Sequence, residues 1–161
     1  MTERLARRGT PVITEYSADY LARVLVRDRA TSSVITLPAM RKVGEVREWL
    51  RGREAPTHQG FPIVSEEGRL LGVLTRRDLL NDAVSGDTIL RTLIHRAPGS
   101  VAGHHSLREA ADLLVHTKVG RLPVVSEDGR VVGILSRSDV IAAHERRLDE
   151  GRRKGEATLF G

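Results

Sequence analysis

The feature that constrains this chain most is an internal repeat. Residues 61–80, FPIVSEEGRLLGVLTRRDLL, match residues 122–141, LPVVSEDGRVVGILSRSDVI, at a constant offset of 61, and 10 of the 20 positions are identical. Nine of the remaining ten pairs exchange similar residues. Upstream, VGEVREWL at 43–50 aligns with LREAADLL at 107–114 at an offset of 64, so the first copy carries three extra residues. Self-similarity of this kind indicates a tandem duplication of one structural unit.

Each copy contains the same succession of predicted elements. A short β-rich stretch, 34–36 or 100–101, precedes a segment whose apolar residues recur at i, i+3 and i+7, the spacing of an amphipathic helix. Two apolar runs follow, joined by an acidic turn that ends in glycine, residues 65–68 and 126–129, which is typical of a β-hairpin. A second helix begins directly after the hairpin. The predicted fold class is α/β in the broad sense (α+β), with tandem β-α-β-β-α repeats packed sheet to sheet with pseudo-two-fold symmetry.

The repeats divide the chain into five predicted parts. These are a lead-in segment with a helix near 17–26 (1–30), repeat 1 (31–85), a connector with a helix near 87–94 (86–97), repeat 2 (98–148) and a basic C-terminal tail (149–161). We also expect the last helix of repeat 2 to extend through the sequence IAAHERRLDE.

Composition excludes several classes of function. The chain has no cysteine, which excludes disulfides, thiolate metal sites and cysteine nucleophiles. Its net charge of +5 is concentrated in residues 1–8 and 146–154, and the remaining chain is neutral, so no basic groove for nucleic acid is expected. The longest aliphatic runs, such as LLGVL, are far shorter than the ~18 residues of a membrane span. The N-terminal sequence lacks the pattern of a secretory signal, and we expect a cytoplasmic location.

A motif of glycine, two apolar residues, a hydroxyl residue, two spacers and aspartate occurs at both strand-to-helix junctions, in residues 72–78 and 133–139. The first interpretation is a capping box, in which the hydroxyl and the carboxylate satisfy backbone N–H groups at the helix start. The second is a nucleotide site, in which the hydroxyl and the basic spacers meet a phosphate and the carboxylate accepts from sugar hydroxyls. The two roles are compatible within one site.

The doubled pattern, with an apolar-Pro-apolar-Val strand, an acidic glycine turn and the hydroxyl-x-x-Asp junction, resembles a pair of CBS domains, often called a Bateman module. The resemblance covers about residues 30–145. More narrowly, LARRG at 5–9, YLARVLVRD at 20–28, HQGFPIV at 58–64 and the ending SRSDVIAAHERRL resemble the cytosolic C-terminal region of bacterial ClC-type chloride channels and transporters. The chain is then either a separated regulatory piece or a free-standing relative.

The resemblance implies two related ligand sites in a cleft between the repeats. In one site Asp139 would hold a ribose, Ser136 and Arg137 the phosphate end, and the first repeat would contact the adenine. The adenine contacts implied there are Ile35, Thr36, Gln59, Gly60 and Phe61. The members implied for the other site are Thr75, Arg76, Arg77, Asp78, Ser100, Val101, Gly120 and Arg121.

Other chemistry finds little support in the sequence. His104 and His105 are adjacent and form no i, i+4 pair, so we predict a solvated loop and no metal site. His58 and His116 are interpreted as surface or core histidines. Neither a P-loop nor a GxSxG elbow occurs, and no general base is identifiable beside the two motif aspartates, which predicts a protein that is not an enzyme and needs no cofactor.

The predicted function is that of a regulatory module. It senses an adenine nucleotide (ATP, ADP or AMP) between its repeats and modulates an attached or partner protein. The resemblance also implies a homodimer formed through the helices and, for the ClC likeness, a chloride-transporting membrane domain as partner, with the basic tails near the acidic lipid of the cytoplasmic face. The alternatives are a ligand-free dimerisation scaffold and, less favoured, a nucleic-acid-binding protein that uses the basic tails.

Overall fold

The computed structural model describes residues 20–160, and the side chains of residues 20–155. Helices and strands are numbered separately along the chain. They are a 3₁₀ turn Val26–Asp28, β1 Leu37–Pro38, α1 Val43–Arg51, β2 Gly60–Val64, β3 Leu70–Thr75, α2 Arg76–Leu79, a 3₁₀ turn Leu90–Leu93, β4 Val101–Ala102, α3 Leu107–Thr117, β5 Arg121–Val125, β6 Val131–Ser136 and α4 Arg137–Phe160. The β-α-β-β-α order predicted for each repeat is present twice.

Each repeat forms a three-stranded sheet with the same topology. In repeat 1, β1 lies parallel to β2, which pairs antiparallel with β3, and β4, β5 and β6 repeat this order in repeat 2. The register also repeats, since Phe61 faces Leu74 and Leu122 faces Leu135. The hairpin turns place Gly68 and Gly129 at φ of 81° and 82°, a backbone region in which a side chain would be strained.

The first strand of each repeat lies slightly downstream of its predicted position. Residues 34–36 lie outside the sheet, and the strand comprises Leu37–Pro38, which pairs with Ile63 and Val64. In repeat 2 the strand begins at Val101. The prediction over 34–36 was therefore wrong, because pairing with β2 fixes which residues of a longer β-compatible run enter the sheet.

The two predicted extra helices differ from the prediction in the part of the chain that the structure describes. The described chain begins in a helical turn that ends at Arg23, three residues before the end of the predicted helix, and residues 17–19 lie outside the described part. The prediction of a helix over 87–94 was wrong, because the connector forms only the 3₁₀ turn Leu90–Leu93. The N–H groups of Leu90 and Arg91, which a longer helix would use internally, donate instead to carbonyl oxygens of repeat 1.

The segments that precede the repeats are exchanged between them. Val26, before repeat 1, is fully buried in the core of repeat 2, where its N–H donates to the carbonyl of His105 at 2.8 Å. Leu90, before repeat 2, is fully buried in the core of repeat 1, and its N–H donates to the carbonyl of Arg41 at 2.9 Å. Both contacts are related by the offset of 64 found in the sequence. The two repeats are therefore interlocked.

Two further features join the repeats. The N–H of Leu70 donates to the carbonyl of Gly129 at 3.0 Å, and the N–H of Val131 donates to the carbonyl of Gly68 at 3.1 Å, so the two hairpins pair through a symmetric bridge. The buried face of α1 and that of α3 carry the predicted apolar residues of each core. Together these contacts fix the pseudo-two-fold arrangement in which the two strand-to-helix junctions are equivalent.

Candidate functional site

The motif aspartates form capping boxes at both junctions. The N–H of Asp78 donates to Thr75 Oγ1 at 3.1 Å, and the N–H of Thr75 donates to Asp78 Oδ2 at 2.8 Å. The equivalent distances for Asp139 and Ser136 are 3.1 and 2.7 Å. The capping interpretation is confirmed in both repeats. A carboxylate has about four acceptor positions, so each aspartate retains capacity to accept from a sugar hydroxyl.

A backbone hydrogen bond links each junction to the residue directly before the second strand of its repeat. The N–H of Arg76 donates to the carbonyl of Gln59, and the N–H of Arg137 donates to the carbonyl of Gly120, both at 2.8 Å. Gln59 and Gly120 are equivalent by the offset of 61. In each repeat this bond holds the loop before the second strand beside the hydroxyl of the capping box.

A cleft of about 800 Å³ opens beside Thr75, a size within the usual range of ligand pockets. Gly120 and Arg121, which the sequence assigned to the same site as Thr75, line it. Gln59 and Gly60, which the sequence assigned to the other site, line it as well. The remaining lining residues are Val73, Arg96, Ala97, Pro98, Gly99, His116, Thr117, Lys118, Val119 and Pro123. The cleft is therefore shared by both repeats.

Arg76 does not direct its side chain to the cleft. Its Nη1 donates to the carbonyl of Pro56 at 2.7 Å, and its Nη2 donates to the carbonyl of Leu50 at 3.1 Å. These bonds hold the guanidinium against the end of α1, so its contribution here is structural. Arg77, the next residue, is exposed.

Several predicted site residues lie in the cores. Phe61 is fully buried and packs edge-on against Trp49, with ring centroids 5.9 Å apart. Val101 is buried in the core of repeat 2. Their side chains therefore shape the sheets behind the cleft. Ile35, Thr36 and Ser100 are half-buried, and Ile35 packs against the core of repeat 1.

The residues missed by sequence reasoning include three basic side chains. Arg96, His116 and Lys118 line the cleft and are exposed, and none was assigned to a site. His116 was interpreted as a surface or core residue, and the structure places it on the cleft wall. A signal was present in the sequence, since the segment HTKVGR at 116–121 gathers basic residues directly before β5.

An apolar groove lies between α3 and α4 of repeat 2, and Lys118 lines both this groove and the cleft. It has a volume of about 540 Å³. Val115 and Ile141 line it with 73% and 51% of their surface exposed. Arg137, assigned by sequence to a phosphate, lines this groove and forms one long hydrogen bond, 3.4 Å, to the carbonyl of Val119.

In the part of the chain that the structure describes, no helix has the length and apolar character needed to cross a membrane.

Two interlocked β-α-β-β-α repeats, each with a capped aspartate at its strand-to-helix junction and with a cleft between them, define a tandem CBS-domain pair. The sequence model of the CBS domain matches residues 26–85 and 90–146, and the chain belongs to this family. CBSX2, a chloroplastic CBS domain-containing protein of Arabidopsis thaliana, is 34% identical over 115 residues, which cover 52% of this chain and 48% of the relative. The chain thus spans about half the length of the curated relatives it matches.

Solved structures show the same likeness. The cytosolic domain of the Mg²⁺ channel MgtE in complex with ATP superposes with a TM-score of 0.66 at 30% identity, over 77% of this chain and 51% of that one. CBSX2 in complex with AMP superposes with a TM-score of 0.64 at 28% identity, over 76% of this chain and 97% of that one. Both structures contain an adenine nucleotide.

Proposed function

We propose that this chain is a non-catalytic regulatory module that binds an adenine nucleotide in the cleft beside Thr75. The observation that carries the proposal is the shared cleft, in which the capping-box junction of repeat 1 lies with Gly120 and Arg121 of repeat 2. The nucleotides in CBSX2 and MgtE support the choice of ligand.

The roles of the residues in this site follow from their chemistry. Asp78 accepts hydrogen bonds from the ribose hydroxyls through the acceptor capacity that its cap leaves. The Thr75 hydroxyl and the Arg121 guanidinium donate to phosphate oxygens. Ser100, directly before β4, lies on the side proposed for the adenine, and the buried Val101 supports that side from the core of repeat 2. Arg76 has no direct role, because two carbonyls hold its guanidinium.

A second site is proposed at the equivalent junction of repeat 2. There Asp139 holds the ribose and Ser136 the phosphate end, with the adenine against Ile35 and Thr36. The support is the pseudo-two-fold repetition of the capping box, whose two hydrogen bonds match those of repeat 1 to within about 0.1 Å.

Binding in a cleft shared by both repeats gives the module its means of regulation. A ligand that contacts both repeats binds one relative arrangement more tightly than another, and this difference in affinity shifts the population. We propose that the shift is passed to an attached or partner protein at the cytoplasmic face of a membrane. MgtE, whose cytosolic domain is similar, supports a transporter as partner, and the ClC-type resemblance favours a chloride transporter.

Calorimetry of the purified chain with AMP, ADP and ATP tests the ligand. Asp78→Ala is expected to abolish binding in the Thr75 cleft and to destabilise the fold by about 1 kcal/mol through loss of the cap. Glu109→Ala is the matched control, because Glu109 forms the same kind of capping box with Ser106 at the start of α3. Neither residue of that box lines the cleft, whereas Thr75, the capping partner of Asp78, does. The control variant should lose similar stability and keep full affinity.

The absence of heat with every nucleotide, or equal affinities for the two variants, would refute the nucleotide site. A chain without nucleotide affinity but with a concentration-dependent melting temperature would instead be a dimerisation scaffold.

We also propose that two copies of the chain associate through the apolar groove between α3 and α4. The exposed apolar side chains of Val115 and Ile141 favour this face. Ile141→Glu should convert the dimer to a monomer in sedimentation equilibrium, whereas Val132→Glu, at an exposed valine of β6 outside the groove lining, should leave the dimer intact. A wild-type chain that sediments as a monomer at all concentrations contradicts the proposal.

A further inference from the structure

The cleft beside Thr75 has a cationic rim, formed by Arg96, Lys118 and Arg121, and the His116 side chain lies beside them. Arg96 belongs to the connector, His116 and Lys118 lie at the C-terminal end of α3, and Arg121 begins β5. None of the described residues that line the cleft is Asp or Glu. Cations grouped around a concave surface concentrate anions there, and the attraction grows with the charge of the anion.

The backbone of Lys118 provides a second, independent observation. Its φ of 56° and ψ of 33° place it in the left-handed region, and among the described residues it is the one non-glycine with positive φ. This position after a helix is usually occupied by glycine, because a Cβ is strained there. The chain does use glycine at its other positive-φ positions, Gly68 and Gly129. A strained lysine at the edge of a cleft indicates a role for its ammonium group.

We propose that the cleft selects a nucleotide with two or three phosphates over a monophosphate, and that Lys118 binds the outer phosphates. This inference rests on the proposed function, since it requires the nucleoside to lie at the Thr75 and Asp78 end of the cleft. ATP carries about two more negative charges than AMP at neutral pH. The additional phosphates meet the cationic rim, where each charge-assisted hydrogen bond from Lys118 or Arg96 adds affinity that AMP does not gain.

The test is a comparison of ATP and AMP affinities for Lys118→Gly. Glycine relieves the left-handed backbone, so a purely structural role predicts no loss of affinity and a melting temperature equal to or above that of the wild type. The proposal predicts the same thermal behaviour together with an ATP affinity about 10-fold weaker and an AMP affinity within about twofold of the wild type. Lys118→Arg should retain ATP affinity within about threefold, because it keeps the charge.

Arg108→Ala is the matched control, since Arg108 is an exposed cation on the same helix but does not line the cleft. It should leave both affinities unchanged. Equal binding of AMP and ATP by the wild type overturns this inference, as does a Lys118→Gly variant that loses ATP and AMP affinity equally or loses neither. The proposed function survives those outcomes. A wild type that binds no adenine nucleotide overturns both.

Discussion

The helices that follow β3 and β6 differ greatly in length although the strands and junctions before them are nearly identical. α2 has 4 residues and α4 has 24. A side chain on a neighbouring helix contributes to this difference. Arg47 of α1 donates to the carbonyls of Leu79, at 2.8 Å, of Val84, at 2.7 Å, and of Asn81, whereas the equivalent position in α3 is Ala111. These hydrogen bonds stabilise the non-helical conformation of the residues that follow α2. Repeat 2 has no equivalent donor, because alanine occupies the position.

The repeats also differ by the three-residue insertion of repeat 1, which lies around residues 54–56. It provides the carbonyl of Pro56, to which Arg76 donates. Arg137, the equivalent residue, forms a single 3.4 Å bond and is exposed. The same residue type at the same motif position is thus fixed in one repeat and accessible in the other. Position in a motif alone does not determine the role of a side chain.

The largest expected effect concerns the two motif glycines. A Cβ at Gly133 would lie 2.9 Å from the carbonyl oxygen of Thr31, whose backbone exchanges two hydrogen bonds with Ile134. A Cβ at Gly72 would meet only the side chain of Ile94, at 2.6 Å. Since backbone yields less than a side chain, Gly133→Ala should destabilise by about 3 kcal/mol and Gly72→Ala by about 1 to 2 kcal/mol in urea denaturation. A larger destabilisation by Gly72→Ala than by Gly133→Ala would show that the backbone at Thr31 adapts more easily than the side chain of Ile94.

The next effect concerns the end of α2. Arg47→Ala should destabilise by about 2 kcal/mol, because it removes the donors to three carbonyls. Arg51→Ala, on the same helix, removes an exposed ion pair with Asp82 and should cost less than about 0.5 kcal/mol. Equal losses in chemical denaturation would contradict the role given to Arg47.

A smaller effect separates the equivalent arginines. Arg76→Ala should lower the free energy of unfolding by about 1 to 1.5 kcal/mol, since two charged hydrogen bonds to Leu50 and Pro56 are lost. Arg137→Ala should change it by less than about 0.5 kcal/mol. Thermal denaturation of both variants at one protein concentration measures the difference, and similar melting temperatures would contradict the assignment of Arg76 as a structural residue.

The smallest expected effect concerns a serine–carboxyl hydrogen bond that occurs in the hairpin turn of both repeats. A hydrogen bond with Ser65 lowers the pKa of Glu67, and a hydrogen bond with Ser126 lowers the pKa of Asp128. A carboxyl whose pKa is lowered on folding contributes stability above its unfolded pKa, and this stability is lost as the pH falls below about 4. The double variant Ser65→Ala/Ser126→Ala should therefore show a slightly flatter decline of melting temperature in acid. An unchanged acid profile would exclude these bonds as its source.

The sequence predicted most of the local structure because local patterns determine it. The hairpins, the helices α1 and α3, and both capping boxes follow from apolar spacing, acidic glycine turns and hydroxyl-x-x-Asp signals. The first strand and the connector were misplaced because their structure depends on distant partners. The register of Leu37 is fixed by Ile63, and the 3₁₀ turn at Leu90 is fixed by a carbonyl of repeat 1.

The candidate site was predicted in part for the same reason. Thr75, Gly120 and Arg121 line one cleft, and their roles in ligand binding stay a prediction. Arg96 and Lys118 were missed. The basic segment 116–121 was a local signal for Lys118, but no local pattern shows that Arg96 of the connector lies on the same cleft. The structural role of the Arg76 guanidinium was missed as well, because the carbonyl of Pro56, to which it donates, lies 20 residues earlier in the chain.

The exchange of Val26 and Leu90 between the repeats has a consequence for how such a chain could arise and be divided. A fragment cut after residue 85 would contain Val26, which fills the core of the absent repeat 2. It would lack Leu90, which fills the core of its own repeat. Two halves produced separately should therefore regain structure only when mixed. A one-repeat ancestor would have completed its fold by exchanging the segment before its first strand with a second molecule. Gene duplication would then have joined the swapped pair into a single polypeptide.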